Sequence, residues 1–253
     1  MKFLIQKING EICHDFVFAL LESVRFNKWL TRNNKKDEIK IKYANTFEVL
    51  EPSDIYPMPF KPCHIKYVPV GSVDFVTDFL VHFYNIIPKP INVPVELFPF
   101  AERHIFNGTE KDLKGQGKSF VKSNDKIKFF TEIIPDDYIL ESGNYQISEL
   151  ITIDSEWRAF VFQGKLIGLQ NYCGEFTKFP NVGILKDMIQ AYKSAPVAYT
   201  LDIGVNDNTT FPIEIHDFFS IGLYGFNSSK YPTMLNQWFR QYIQREMVEQ
   251  RRI

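Results

Sequence analysis

The sequence predicts an α+β protein, and three observations carry that prediction. Helical periodicity occurs near both ends and once in the second half of the chain. Alternating runs joined by polar turns fill most of the stretch after residue 99, and prolines crowd the region before it. Taken in order, Phe3 to Ile5 opens a strand. From Asp15 to Leu30 the positions Phe16, Ala19, Leu20, Val24 and Phe26 to Trp29 recur at helical spacing. Asn33 to Lys42 is a charged, solvated loop or helix surface. Between Glu51 and Pro99 each proline fixes its own φ and biases its predecessor away from helix, so long regular elements are excluded. The exception is Ser72 to Tyr84, where a capping serine precedes a proline-free apolar run. Lys89 to Pro99 reads as an extended connector.

After the connector come hairpins. FVKSN and IKFFTEI form a strand pair around Lys122 and Lys128, and Tyr145 to Ile151 leads into the next pair. That pair is Arg158 to Phe162, a turn at Gln163-Gly164-Lys165, and Leu166 to Tyr172. Val182, Leu185, Met188, Ile189 and Tyr192 share one face of a helix between Pro180 and Ala195. A last hairpin spans 201–217 around the turn NDNTT, and a basic amphipathic helix runs from about Thr233 to Arg252 with its charges as a solvated face. The organisation expected is a mixed region over 1–98 followed by a hairpin-rich domain over 99–253.

Composition narrows the function classes. With 253 residues, 45% hydrophobic and 15% aromatic, the chain can bury a real core. A net charge of −1 gives no global attraction to nucleic acid or to an anionic membrane, so neither partner is expected. The three cysteines Cys13, Cys63 and Cys173 are far apart and show neither metal-ligand spacing nor a disulfide framework. No signal peptide or membrane-length apolar run is present, so the expected setting is soluble and cytoplasmic.

The 201–217 hairpin concentrates the chemistry. Asp202 lies in its first strand, Glu214 and Asp217 in its second, and alternation puts Glu214 and His216 on the face opposite Ile213 and Ile215. Carboxylates on strands built to be buried need a partner, and a divalent cation shared by both strands is one. A half-exposed hairpin whose acids face water is the alternative. Lys122, mid-strand in FVKS, suits a polyphosphate as a compact charge with three donors, or is an exposed strand lysine. Glu156 and Arg158 are two apart and share a strand face, where Arg158 either pairs with Glu156 or neutralises a transferring phosphoryl group. Arg103 lies in no local motif. GQGKS at 115–119 lacks the full phosphate-loop spacing and precedes a strand instead of a helix. The histidines show no paired metal-ligand spacing, and there is no nucleophile elbow.

In their order these pieces resemble the ATP-grasp family, and within it the clade named for two arginines and a lysine. PVGSVDFV (69–76), ERHIFNGT (102–109), FVKSNDKIKFF (120–130), SEWRAFVFQGKLIGLQNYCG (155–174) and IEIHDFFSIGLYG (213–225) carry the resemblance, which covers about Pro99 to Phe226. It implies an ATP-grasp fold, two α+β lobes sandwiching ATP after an N-terminal preATP-grasp-like α/β region. It further implies Lys122, with Lys128, on phosphate, and Gln146 to Glu149 as a hinge whose backbone reads adenine and whose acid reaches the ribose. Arg158 and Arg103 would be the two arginines, and Asp202, Glu214 and His216 the Mg²⁺ site. The implied activity is ATP- and Mg²⁺-dependent ligation of a small carboxylate to an amine, such as an amino acid or peptide, through an acylphosphate. Alternatives are a nucleotide-binding module without ligation and a phosphotransferase. One departure stands out: the family's usual Glu-x-Asn on the last strand is Glu214-Ile215-His216 here.

Overall fold

The computed structural model describes residues 2–30, 40–44, 67–127, 130–135, 137–207 and 209–250. Lys128, Cys63 and the prolines from 52 to 62 therefore lie outside the described residues. The chain forms two compact units, one of Met1–Ile87, Pro196–Ala198 and Phe218–Ile253, the other of Pro88–Ala195 and Tyr199–Asp217. These units are not coextensive with the stretches 1–98 and 99–253, because the last part of the chain packs with the first.

The first unit contains a parallel sheet of order β2-β1-β3, from β1 (Lys2–Gln6), β2 (Lys40–Ala44) and β3 (Val68–Val70). The β2 strand replaces part of the loop expected up to Lys42. Pro69 sits inside β3, opposite Leu4, and is tolerated because β3 is an edge strand whose ladder can spare an N–H. Helix α1 (Asp15–Leu30) follows the predicted periodicity. Helix α2 (Val73–Tyr84) starts on Ser72, whose hydroxyl accepts from the Phe75 N–H, and ends on Asn85 in the left-handed conformation. The C-terminal helix lies in this unit too, as the long helix Tyr231–Gln250. Its Trp238 and Phe239 are fully buried, with Phe239 against Phe79 and Tyr84.

The second unit is built on two antiparallel four-stranded sheets. One has the order β4-β7-β5-β6, from β4 (Ile105–Thr109), β5 (Ser119–Ser123), β6 (Thr131–Ile134) and β7 (Asn144–Ser148). The other has the order β11-β10-β8-β9, from β8 (Ser155–Phe162), β9 (Lys165–Gly174), β10 (Ala198–Asn206) and β11 (Thr209–Asp217). The β8–β9 turn is Gln163-Gly164, with φ of 51° and 69°, the pair of positive values a tight two-residue hairpin requires. The expected extended connector instead closes into a 3-10 turn at Val95–Phe100, entered from Pro94. A helix at Val182–Ala191, capped by Asn181, packs Leu185, Met188 and Ile189 into a core with Tyr199, Leu201 and Ile203 of β10. We number this helix α3 and the C-terminal helix α4. Across the β10–β11 hairpin Gly204 faces Phe211, and a side chain at 204 would come within 2.3 Å of that ring. No helix among the described residues is long and apolar enough to cross a membrane.

Candidate functional site

The β10–β11 register decides the site. Asp202 stands directly opposite Glu214 and Thr200 opposite His216, so the two carboxylates and the imidazole share one face. A bulge lets Ile203 pair with Pro212 while Asp202 pairs with Glu214, leaving Ile213 as the extra residue. Strand β8 is the neighbour of β10 and brings in Arg158. Its Nε and Nη2 donate to Oδ1 and Oδ2 of Asp202, both at 2.7 Å, a bidentate pair buried to 7% and 1% exposure. Glu214 Oε1 lies 2.7 Å from His216 Nε2, and that nitrogen is 3.6 Å from Asp202 Oδ2. From the other sheet, Lys122 of β5 donates to Glu214 Oε2. Arg158, Asp202, His216, Glu214 and Lys122 thus form one continuous chain of charge that joins the two sheets.

The protonation of this chain follows from its neighbours. Burial alone would raise the Asp202 carboxyl, but hydrogen bonds from Arg158 and the nearby His216 hold it below the usual carboxylate range. Glu214 is likewise depressed: burial opposes ionisation, and the His216 bond and the Lys122 charge overcome it. Burial would lower His216, yet its two acidic neighbours push it up to about 9. The 2.7 Å contact makes Glu214 its main partner, with Asp202 a longer ion pair. The resting chain then carries three cations against two carboxylates.

A magnesium ion fits this donor set in part. One ligand atom from each of Asp202, Glu214 and His216 lies within 4.8 Å of the others. Carboxylate oxygens are the hard donors Mg²⁺ prefers, and each carboxylate has lone pairs to spare beyond Arg158 and Lys122. His216 is the weaker element, since imidazole is a softer ligand and binds only when neutral. Were His216 to serve as a ligand, its imidazole would have to give up its proton.

The other predicted residues fall elsewhere in the unit. Arg103 donates through Nη1 to the carbonyls of Ala101 and Pro212 and lies 5.8 Å from the Phe211 ring centroid. It forms no ion pair with a described residue, and burial lowers its pKa to about 10. Gln146 is buried mid-strand, its amide exchanging bonds with the Val93 N–H and carbonyl and donating to Asn107. Its backbone is in β7, which pairs with β4 and β5 on either side, and the pairing runs on to Glu149, whose N–H donates to the His104 carbonyl at 3.0 Å. The Glu149 carboxylate accepts from the His104 N–H at 2.8 Å.

Tyr172 is a part that sequence reasoning missed. It is the extra residue of a second bulge, between the pairs Glu156–Cys173 and Trp157–Asn171. Its hydroxyl donates to Glu156 at 2.6 Å and lies 3.5 Å from Asp202 Oδ2, while its ring centroid is 5.6 Å from the Arg158 guanidinium. Glu156 therefore meets Tyr172 where a pairing with Arg158 was one expectation. Gln170 pairs with Arg158, and Tyr172, two residues on, shares its face; the register that sets this includes a bulge at Phe160/Val161 that local pattern does not show.

Comparison with known families decides the fold family. The family described as ATP-grasp domain, R2K clade family 2, matches residues 100–234, just over half of the chain. The chain belongs to that ATP-grasp family. A search of the curated proteins gave no match. Among solved structures, this ATP-grasp protein is similar to D-alanine–D-alanine ligase from Bacillus anthracis, at 11% identity and TM-score 0.50, over 97% of this chain and 99% of that one. It is similar to the ATP-grasp ligase PsnB complexed with minimal precursor, Mg and ADP, at 10% identity and TM-score 0.50, over 94% and 96%. A RimK domain ATP-grasp protein from Sphaerobacter thermophilus matches at 11% identity and TM-score 0.52, over 96% and 99%. At these identities the likeness is one of fold, and the α+β ATP-grasp architecture expected from the sequence is the one found.

Proposed function

We propose that this protein is an ATP- and Mg²⁺-dependent ligase that joins a small carboxylate to an amine, on an amino-acid or peptide substrate, through an acylphosphate. The observation that carries the reading is the charge chain from Arg158 to Lys122, which draws on both sheets of an ATP-grasp unit. Phosphoryl transfer asks a protein mainly for positioning and charge neutralisation, and those are what these groups supply. Lys122 holds phosphate oxygens, with Lys128 as a second contact. Arg158, and Arg103 with its remaining N–H donors and no carboxylate partner, hold phosphate or the substrate carboxylate. Gln146 to Glu149 border the nucleotide as the hinge. Asp202 and Glu214, with neutral His216, would hold Mg²⁺, which would screen the phosphate charge. In this reading residues 99–253 are the ATP-grasp domain, 1–98 the preATP-grasp-like region, and the reaction is cytoplasmic.

Titration with AMPPNP, a non-hydrolysable ATP analogue, with and without MgCl₂ tests it. Mg²⁺ should strengthen binding in the native protein, and Lys122→Ala should weaken it by roughly tenfold or more, the loss of a charge-assisted bond. Unchanged binding in Lys122→Ala would sink the assignment. His216 favours a second reading, since its proton bridges the acids where the family has asparagine: a nucleotide-binding module without turnover. ADP release on incubation with pooled amino acids and small carboxylates separates the two.

A further inference from the structure

Between the two sheets of the second unit runs a short strap, Asn92 and Val93, whose hydrogen bonds join the two strands carrying the site. Asn92 is buried and takes the left-handed conformation, with φ of 53°. Its carbonyl accepts from the Ile215 N–H at 2.8 Å, a single bridge to β11 between Glu214 and His216. Its side-chain Nδ2 turns to the other sheet and donates to the Ser123 carbonyl at 3.0 Å and to Asn124 Oδ1 at 2.7 Å. Ser123 is the residue after Lys122. One asparagine therefore grips each half of the Lys122–Glu214 pair by the neighbouring backbone. The strap is fixed in turn: Val93 exchanges two bonds with the Gln146 amide at 3.0 and 2.8 Å, and Gln146 and Asn124 both donate to Asn107 Oδ1. Every named polar atom of this network, buried at Asn92, Ser123 and Gln146, has a partner, and a fully satisfied network specifies one arrangement of the groups around it.

We infer that Asn92 is a positioning residue that sets the spacing between the Lys122 strand and the Glu214 strand, and so places the Lys122 ammonium for the phosphates it meets. Asparagine is suited to both tasks, tolerating positive φ while carrying a side-chain donor. The inference rests on the reading of Lys122 as a phosphate-binding residue, and it makes a claim that reading does not. Asn92 acts through Lys122 and touches no ligand.

Asn92→Gly isolates the effect, because glycine keeps the left-handed backbone and the Ile215 bond and removes only the bonds to Ser123 and Asn124. A double-mutant cycle with Lys122→Ala, read by calorimetric titration of Mg²⁺·AMPPNP into the full-length protein, tests the inference. Asn92→Gly should weaken binding about tenfold in the native background, the scale of a displaced charge-assisted bond, and less than about twofold once Lys122 is alanine. Equal losses in both backgrounds would reduce Asn92 to general support and overturn the inference, as would no loss in either. A native protein that fails to bind Mg²⁺·AMPPNP overturns the functional reading and the inference together. Should the glycine variant not fold, Asn124→Ala removes one of the two bonds from the half-exposed side and must show the same lack of additivity with Lys122→Ala.

Discussion

The two sheets of the ATP-grasp unit share a strand number and little else. In the β11-β10-β8-β9 sheet the strands are 8 to 10 residues long and are backed by fourteen buried core residues. The β4-β7-β5-β6 sheet has strands of 4 or 5 residues over a core of six among the described residues. The first provides Arg158, Asp202, Glu214 and His216, already paired among themselves; the second adds Lys122 alone. A densely packed sheet can hold charges out of water because it fixes their partners. A lightly built sheet is the one that can adjust when a ligand arrives. The contrast suggests a rigid, acid-bearing platform facing a cation delivered by a more yielding partner.

The sharpest way to break this contrast is to compare stabilities. Asp202→Asn leaves Arg158 buried against a neutral amide. Removing one member of a buried pair costs about 3–5 kcal/mol. Lys122→Met leaves Glu214 paired with His216 and with a quarter of its side chain in water, so its cost should be smaller. Urea unfolding of both variants reads the difference, and equal losses would mean that the two sheets share the burden.

The same contrast shows what the sequence made legible. Helices α1 and α2, the Gln163-Gly164 hairpin and the acidic β10–β11 hairpin announce themselves through local period and turn chemistry. Strand β2 does not, because its Lys-Ile-Lys pattern is that of a solvated loop until β1 lies beside it. Arg158 was readable as a functional cation, but not its partner: Asp202 is 44 residues away, and only the strand order β10-β8 makes them neighbours. Nothing local in the sequence says that Val93 takes up the Gln146 amide. Asn92 carries no sequence signal at all, because its value lies in reaching two sheets at once.

A pH series places the next effect on the platform alone. Asp202 and Glu214 have folded pKa values below their unfolded ones, so their stabilisation is present above about pH 4 and lost as pH falls further. His216, raised to about 9, acts in the opposite sense: its contribution is full below its unfolded value and disappears as pH climbs through 9. Metal-free protein should therefore lose stability between about pH 6.5 and 9 in a way that His216→Gln does not. If His216 is a Mg²⁺ ligand, saturating MgCl₂ should flatten that decline, because a ligating imidazole is neutral. Identical alkaline profiles for native and His216→Gln protein would remove His216⁺ from the account.

Tyr172→Phe should give the smallest effect and the finest test of how rigid the platform is. The ring stays against Arg158, and only the hydroxyl bond to Glu156 is lost. Glu156 is half-buried and can turn to water, so the stability cost is about 1 kcal/mol, that of one ordinary hydrogen bond. Nucleotide affinity should hardly change, because Lys122 belongs to the other sheet. The Mg²⁺ concentration giving half-maximal strengthening of AMPPNP binding should rise, since the tether keeps Tyr172 beside Asp202 Oδ2 and Arg158 together. If AMPPNP affinity without metal falls as much as the metal requirement rises, the division of labour between the sheets fails, for then loosening the acidic platform has also displaced the phosphate-binding side.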